Sequence, residues 1–210
     1  MKIGIIGSGN VGKALAGGAV KAGHKVTITS KHSEKAAAAA KETGASQADS
    51  NLAAVKDAEL VVLAVPGTAI DEVVAGLGNA LDGKVIVDVT NRFNPQNPAA
   101  AVDGSSMSEH IQTLAPHSHV TKAFNYAFAS KMADPRADGT ALDGFVAGDD
   151  ERAKKQVLEL VRSIGFRPID VGPLAMARVL EGLGILNITL QIRNKWPWQS
   201  GWKLVGPSGD

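Results

Sequence analysis

Lys2-Ile3-Gly4-Ile5-Ile6-Gly7-Ser8-Gly9-Asn10-Val11-Gly12 follows Met1 and holds most of what decides the fold. Lys2–Ile6 is a short apolar run, fit for a strand buried on both faces. A G-x-G-x-x-G turn comes next and opens a helical stretch over about residues 10–22, stopped by Gly23. The motif alone is weak, because 23 glycines supply chance matches. Placed between strand and helix it is a dinucleotide fingerprint, the alternative being a Gly loop with no ligand. Gly7 permits the tight turn, Gly9 lets a pyrophosphate approach the backbone, and Gly12 lets helix and strand pack closely. The free N–H groups and positive dipole end of the helix then hold the phosphates.

The same alternation continues outward. Lys25–Thr29 is a strand rich in β-branched residues, and Ser33 is placed to cap a helix running to about residue 42. A short helix is expected over 51–55 and a third strand over 59–65, ended by Pro66-Gly67. Thr68 and Asp71 stand in capping-box spacing at the head of a helix over 68–81, before a fourth strand over 84–90. Residues 91–104 are the longest loop candidate, and Ser106 and Glu109 repeat the capping-box spacing before a helix to about residue 114. Strands over 120–125, 144–147 and 166–170, an amphipathic helix over 151–164 and a last helix over 173–194 follow. This alternation predicts an α/β fold: a Rossmann-type doubly wound, mostly parallel sheet with extra C-terminal strands and a C-terminal helix. Residues 1–172 form the dinucleotide-binding domain; 173–210 form a helix and tail packed on that domain or on a dimer partner.

Composition narrows the function. The 210 residues are 44% apolar and 20% charged, as in an average globular protein. A net charge of +1 gives no general attraction to nucleic acid or membrane. The lack of cysteine removes disulfides, thiol nucleophiles and thiolate-held metals. The N-terminus has no long apolar h-region, and the uncharged run between Glu181 and Arg193 is too short to span a bilayer, so a cytoplasmic protein is expected. His117 and His119 read as surface residues and His24 as structural, so no metal site is expected. No acid–base set can be assigned from spacing. Hydride exchange between two bound cofactors needs positioning more than proton transfer.

The end of the second strand selects the cofactor. An NAD site usually carries Asp or Glu about 20 residues beyond the fingerprint. Here the place reads Thr29-Ser30-Lys31-His32-Ser33-Glu34-Lys35, with no acid at the strand tip. Ser30 can donate a hydrogen bond to a 2′-phosphate, and Lys31 and Lys35 offer it positive charge, which points to NADP; otherwise the lysines are solvated surface charges. Val65-Pro66-Gly67 follows the third strand and lacks a large polar side chain, which suits the flat face of a nicotinamide. Thr90 or Asn91 could bond the ribose or carboxamide, or merely cap the loop.

GSGNVGKAL (7–15), TSKHSEKA (29–36), LAVP (63–66), DVTN (88–91), VTKAFN (120–125), FVAGDDE (145–151) and GFRPIDVGPLAMARVLE (165–181) together resemble the coenzyme F-420-dependent NADP oxidoreductases. They are also similar to the cytosolic oxidoreductase domain of the six-transmembrane metalloreductases. The resemblance covers residues 1–187. It implies a single Rossmann domain with a small C-terminal portion, and hydride transfer between NADP(H) and a deazaflavin or flavin. It further implies that Ser8, Asn10 and Val11 wrap the pyrophosphate and that Ser30, Lys31 and Lys35 hold the 2′-phosphate. Val65, Pro66 and Ala69 would flank the nicotinamide, and Asn125 would sit near where the two rings meet. Where the deazaflavin enzymes resemble A-L-H-T, this chain has Ala123-Phe124-Asn125-Tyr126, closer to the metalloreductase branch.

Two other readings compete: a reductase of a small imine or hydroxy acid, and an NADP-binding redox sensor without turnover. The last helix is apolar nearly all round, and Trp196, Trp198 and Trp202 lie in the tail, so a homodimer through helix and tail is expected.

Overall fold

The computed structural model describes residues 1–92, 96–97 and 104–206, so most of the expected 91–104 loop lies outside the described residues. The strands are β1 (Lys2–Ile6), β2 (Lys25–Thr29), β3 (Ser46–Gln47), β4 (Leu60–Leu63), β5 (Val85–Asp88), β6 (His119–Ala123), β7 (Arg136–Ala137), β8 (Thr140–Ala141), β9 (Asp143–Gly148) and β10 (Arg167–Asp170). The helices are α1 (Asn10–Lys21), α2 (Ser33–Thr43), α3 (Asn51–Val55), α4 (Ile70–Leu77), α5 (Met107–Leu114), α6 (Ala129–Ala133), α7 (Glu151–Ile164) and α8 (Ala177–Asn194).

Eight strands form one sheet in the order β10-β9-β6-β5-β4-β1-β2-β3, and β7 and β8 form a separate hairpin. From β3 to β6 every pairing is parallel; β9 runs antiparallel to β6, and β10 parallel to β9. The result is a Rossmann-type, mostly parallel sheet with two added C-terminal strands. Its β3-β2-β1-β4-β5-β6 run is the order of a dinucleotide-binding sheet, with the switch point between β1 and β4.

Alternate residues of the strands feed two cores. Ile3, Ile5, Val62 and Val87 meet Leu15, Ala16, Ala39 and Val157 on the face covered by α1, α2 and α7. Ile6, Val61, Leu63 and Ile86 meet Val55, Val74, Leu77 and Ile111 on the face of α3, α4 and α5. Burial on both faces is why these strands read as unbroken apolar runs.

Several local expectations change. The helix expected over 68–81 is α4 flanked by 3-10 turns, Gly67–Ala69 and Gly78–Leu81, because Gly78 takes a φ of 47°. The Thr68 capping box does not form; Asp71 instead accepts from His110 Nε2 at 2.8 Å. His32, not Ser33, occupies the N-cap of α2. The Ser106–Glu109 capping box forms as expected. The last helix starts at Ala177, after a 3-10 turn over Leu174–Met176.

α8 turns a polar face inward. Glu181, Asn187 and Gln191 are buried, while Val179, Leu186 and Ile192 are exposed. Asn187 donates to Tyr126 O (3.1 Å) and accepts from Ser200; Gln191 donates to Ser200 (2.7 Å) and accepts from the Trp198 N–H (2.9 Å). The tail therefore folds back over its own chain. Trp198 stacks edge-on against Phe128, and the Trp202 carbonyl accepts from the Asp143 N–H at 2.9 Å. The stretch Leu174–Asn194 is long and apolar enough, by length and composition, to cross a bilayer. Here its inner face is spent on the polar contacts just described.

Candidate functional site

The fingerprint glycines divide into two that are closed and one that is open. Gly7 has a φ of 112°, and a Cβ there would stand 2.1 Å from Ala64 O. A Cβ on Gly12 would stand 2.0 Å from Gly7 O. Neither position admits a side chain. Gly9 is exposed, and a Cβ there would meet nothing within 4 Å. It is the N-cap of α1, whose first turn has neither a side-chain cap nor an acid, whereas Ser50, Ser106 and Asp150 cap α3, α5 and α7. The first N–H groups of α1 are thus left for a ligand, with Ser8 and Asn10 on either side of the open glycine and Val11 half-buried behind it. These residues fit a pyrophosphate.

The other candidates lie along the same carboxyl edge of the sheet. The Gly7 N–H donates to Thr29 O at 2.9 Å, which ties the fingerprint turn to the tip of β2. Ser30 follows there, its hydroxyl donating to His32 O at 2.9 Å, and Lys31 and Lys35 are exposed. Glu34 is exposed in the first turn of α2 and lies beside His32 (3.8 Å). On the other side Val65 lies against Gly7. Pro66 is exposed, and its carbonyl accepts from the N–H of half-buried Ala69 at 2.9 Å. Gly67 lies against the Asn91 carbonyl. Asn91 Nδ2 donates to Asn125 O at 2.6 Å, and Asn125 Nδ2 donates to Asn91 Oδ1 at 2.9 Å and to Leu180 O at 2.8 Å. Ser30, Gly7, Val65, Asn91 and Asn125 thus follow one another from β2 to β6, which is where a cofactor crosses such a sheet.

Asn125 is placed by an unusual turn. Its N–H donates to Ala123 O at 2.8 Å, closing a three-residue turn around Phe124, whose φ is 63°. A buried Phe with positive φ costs on the order of 1–3 kcal/mol and persists only where its surroundings hold it. Here the ring packs edge-on against Phe166, centroids 5.9 Å apart. The Asn125 Oδ1 is buried with no hydrogen-bond partner among the described residues.

Beneath this pair lies a charge cluster that the sequence reading did not single out. Lys122 Nζ is fully buried and donates to Asp88 Oδ2 (2.8 Å), Thr90 O (2.7 Å) and Glu181 Oε1 (2.9 Å). Asp88 also accepts from Ser108 Oγ and from the N–H and hydroxyl of Thr90. Glu181 also accepts from the Met107 N–H, and Arg92 Nε stands 3.7 Å from its second oxygen. A lysine inside the strand run VTKAF was the available signal, since a buried ammonium must find carboxylate or carbonyl partners. Among the described residues no group of His, Asp and Glu is placed to hold a metal.

Residues 2–92 match the family of NADP oxidoreductases, coenzyme F420-dependent. The F420-dependent NADP reductase of Methanothermobacter marburgensis is 32% identical over 93% of this chain and 94% of its own. The chain belongs to this family. It is accordingly an NADP-dependent oxidoreductase, and NADP(H) is its cofactor. The crystal structure of a candidate F420-dependent NADP reductase from Arthrobacter sp. FB24 superposes with a TM-score of 0.87 at 29% identity, over 98% of this chain and all of that one. Rat Metalloreductase STEAP3 is 33% identical over 87% of this chain, which spans only 36% of that protein. The Streptomyces aurantiacus imine reductase (TM-score 0.69, 19% identity, 93% of this chain and 64% of that one) shares the fold alone.

Proposed function

We propose that the protein passes hydride between NADPH and a deazaflavin (coenzyme F-420) or flavin, as a cytoplasmic homodimer. The observation that carries this reading is the open Gly9 at an uncapped helix N-terminus, beside a β2 tip with lysines and no acid. Gly7, Ser8, Gly9, Asn10, Val11 and Gly12 hold the pyrophosphate. Ser30, Lys31 and Lys35 hold the 2′-phosphate. Val65, Pro66, Ala69, Asn91 and Asn125 line the nicotinamide end. Bound NADPH supplies the hydride; the chain's residues bind, orient and shield, and no side chain need move a proton. Steady NADPH oxidation against a panel of deazaflavin, flavins and ferric chelates tests the acceptor.

Lys31 offers a test of the phosphate site. A charge-assisted hydrogen bond contributes roughly 1.5–3 kcal/mol, so Lys31→Ala should weaken NADPH by about ten- to a hundredfold and leave NADH nearly unchanged. Lys31→Asp should go further, since it repels the phosphate and can accept from ribose hydroxyls. An unchanged ratio of the two cofactor affinities in both variants would make Lys31 an ordinary surface charge.

The homodimer reading is supported by the outer face of α8. Val179, Leu186 and Leu190 share one helical stripe, with Val179 and Leu186 exposed, while Leu183 beside them packs on the core. Leu186→Glu should turn a dimer into a monomer in light scattering; a wild-type monomer at micromolar concentration would end the idea.

A further inference from the structure

We propose that Lys122 is a positioning residue for the nicotinamide end of the cofactor, acting through the Asn125–Asn91 pair; this rests on the NADPH reading above. All three of its N–H donors are used; two of the partners, Thr90 and Glu181, adjoin a residue that holds the pair, and the third, Asp88, binds Thr90. Thr90, whose carbonyl it takes, immediately precedes Asn91. Glu181 immediately follows Leu180, whose carbonyl accepts from Asn125. Lys122 itself stands on β6, just before the turn at Phe124 that delivers Asn125. One ammonium thus ties together β5, β6 and α8, the three segments whose spacing sets the Asn91–Asn125 hydrogen bonds.

Close packing leaves little slack in that spacing. A Cβ added at Gly184 would stand 2.9 Å from Asn91 Oδ1 and 3.1 Å from Asn125 O, so α8 rests directly on the pair. Burial falls along the column: Lys122 is sealed, Asn125 is nearly so, and Asn91 is half-buried beside Gly67. Asn91 is therefore the member that reaches the cofactor face. One N–H and one lone pair of its amide remain after the bonds to Asn125. Lys122 touches no ligand in this arrangement; it fixes where that amide points.

The test compares two ligands in one buffer. NADPH has both ends of the cofactor, whereas adenosine 2′,5′-bisphosphate has the phosphate end and lacks the nicotinamide. Lys122→Met alone leaves Asp88 without a cation and Glu181 with only Arg92 nearby, so the charge-balanced Lys122→Met/Glu181→Gln variant is used. Its Kd for NADPH should rise roughly tenfold, the loss of about one positioned hydrogen bond, while that for the bisphosphate stays within about twofold. Asn91→Ala should show the same split. Added to the balanced variant, it should cost nothing more, since both act through one amide. If the balanced variant does not fold, Glu181→Gln alone should give a smaller split of the same sign. Equal weakening of both ligands, no weakening of NADPH in a folded variant, or losses that multiply with Asn91→Ala would each overturn the proposal. Failure of the wild type to bind the bisphosphate would remove the NADPH reading and this proposal with it. Binding without a split would remove this proposal alone.

Discussion

Asp88 and Asp143 are both sealed from solvent, but only the cation beside Asp88 is sealed with it. The counter-ion of Asp88 is Lys122, itself fully buried, and the second carboxylate on that ammonium, Glu181, is buried too. Asp143 accepts instead from Arg167 (2.6 and 2.8 Å), Lys203 (3.3 Å) and the Leu204 N–H (2.5 Å), with both cationic side chains about a quarter exposed. Burial pushes the Asp143 carboxyl up, but Arg167, the Leu204 N–H and Lys203 outweigh it and hold it below the ordinary Asp value. The first cluster joins two strands and a helix beneath the cofactor edge. The second fastens the tail to the outer strands β9 and β10. A sealed cluster cannot recruit water when a partner is lost, whereas a half-exposed one can. The same residue type therefore specifies geometry in one place and makes a releasable clasp in the other.

Removing the central cation of each cluster should separate them. Lys122→Met takes the shared ammonium from two buried carboxylates and should cost about 3–5 kcal/mol of stability, read as a fall in the urea midpoint with little change in slope. The charge-balanced Lys122→Met/Glu181→Gln variant should recover a large part of that loss. A Lys122→Met protein as stable as wild type would mean that the cluster is hydrated and the contrast false.

Arg167→Met should cost less, about 1–3 kcal/mol, because Lys203, Leu204 N–H and water remain for Asp143. Arg167 also donates to Leu204 O, so its loss should loosen the tail before the sheet. Limited trypsin digestion should then cut at Lys195 or Lys203 well before the midpoint of global unfolding. Cleavage rates equal to those of wild type would show that the remaining contacts of the tail, with Asn187, Gln191, Phe128 and Asp143, hold it without Arg167.

The contrast also explains what could be read beforehand. The β1–α1–β2 region was legible because its signals are local: apolar runs for strands, and glycines whose roles depend on the adjacent backbone. The Lys122 cluster was not, because Lys122 and Glu181 lie far apart in the chain and neither announces its partner. α8 read as apolar all round, although Glu181, Asn187 and Gln191 mark its inner face; hydropathy weighs side chains without knowing which polar ones are satisfied. The two-residue strands β3, β7 and β8 were too short for a period. Yet Asp138-Gly139, with φ of 47° and 77°, is the expected pair for a tight hairpin and could have been used. Of the candidate site, the fingerprint and the β2 tip were legible as local motifs, whereas the Asn91–Asn125 contact needed the sheet order to bring β5 beside β6.

The smallest effect should come from the most exposed ion pair on α8. Glu109 accepts from Arg178 (2.8 and 2.6 Å) and from Ser106 within the α5 capping box. Arg178 is the chief cause that lowers its pKa to about 2, with the Ser106 bonds adding to this and partial burial opposing it. The unfolded chain therefore takes up this proton first as pH falls. Its contribution is full above the ordinary value of 4.5 and is lost progressively down to about 2. A pair this exposed contributes little, because solvent and salt screen it. Glu109→Gln keeps a capping-box side chain but removes the charge. Its stability should fall slightly at pH 7 and converge with wild type toward pH 2. A constant gap between the two proteins across that window would show that Glu109 acts through its cap alone, with Arg178 contributing nothing to the seating of α8.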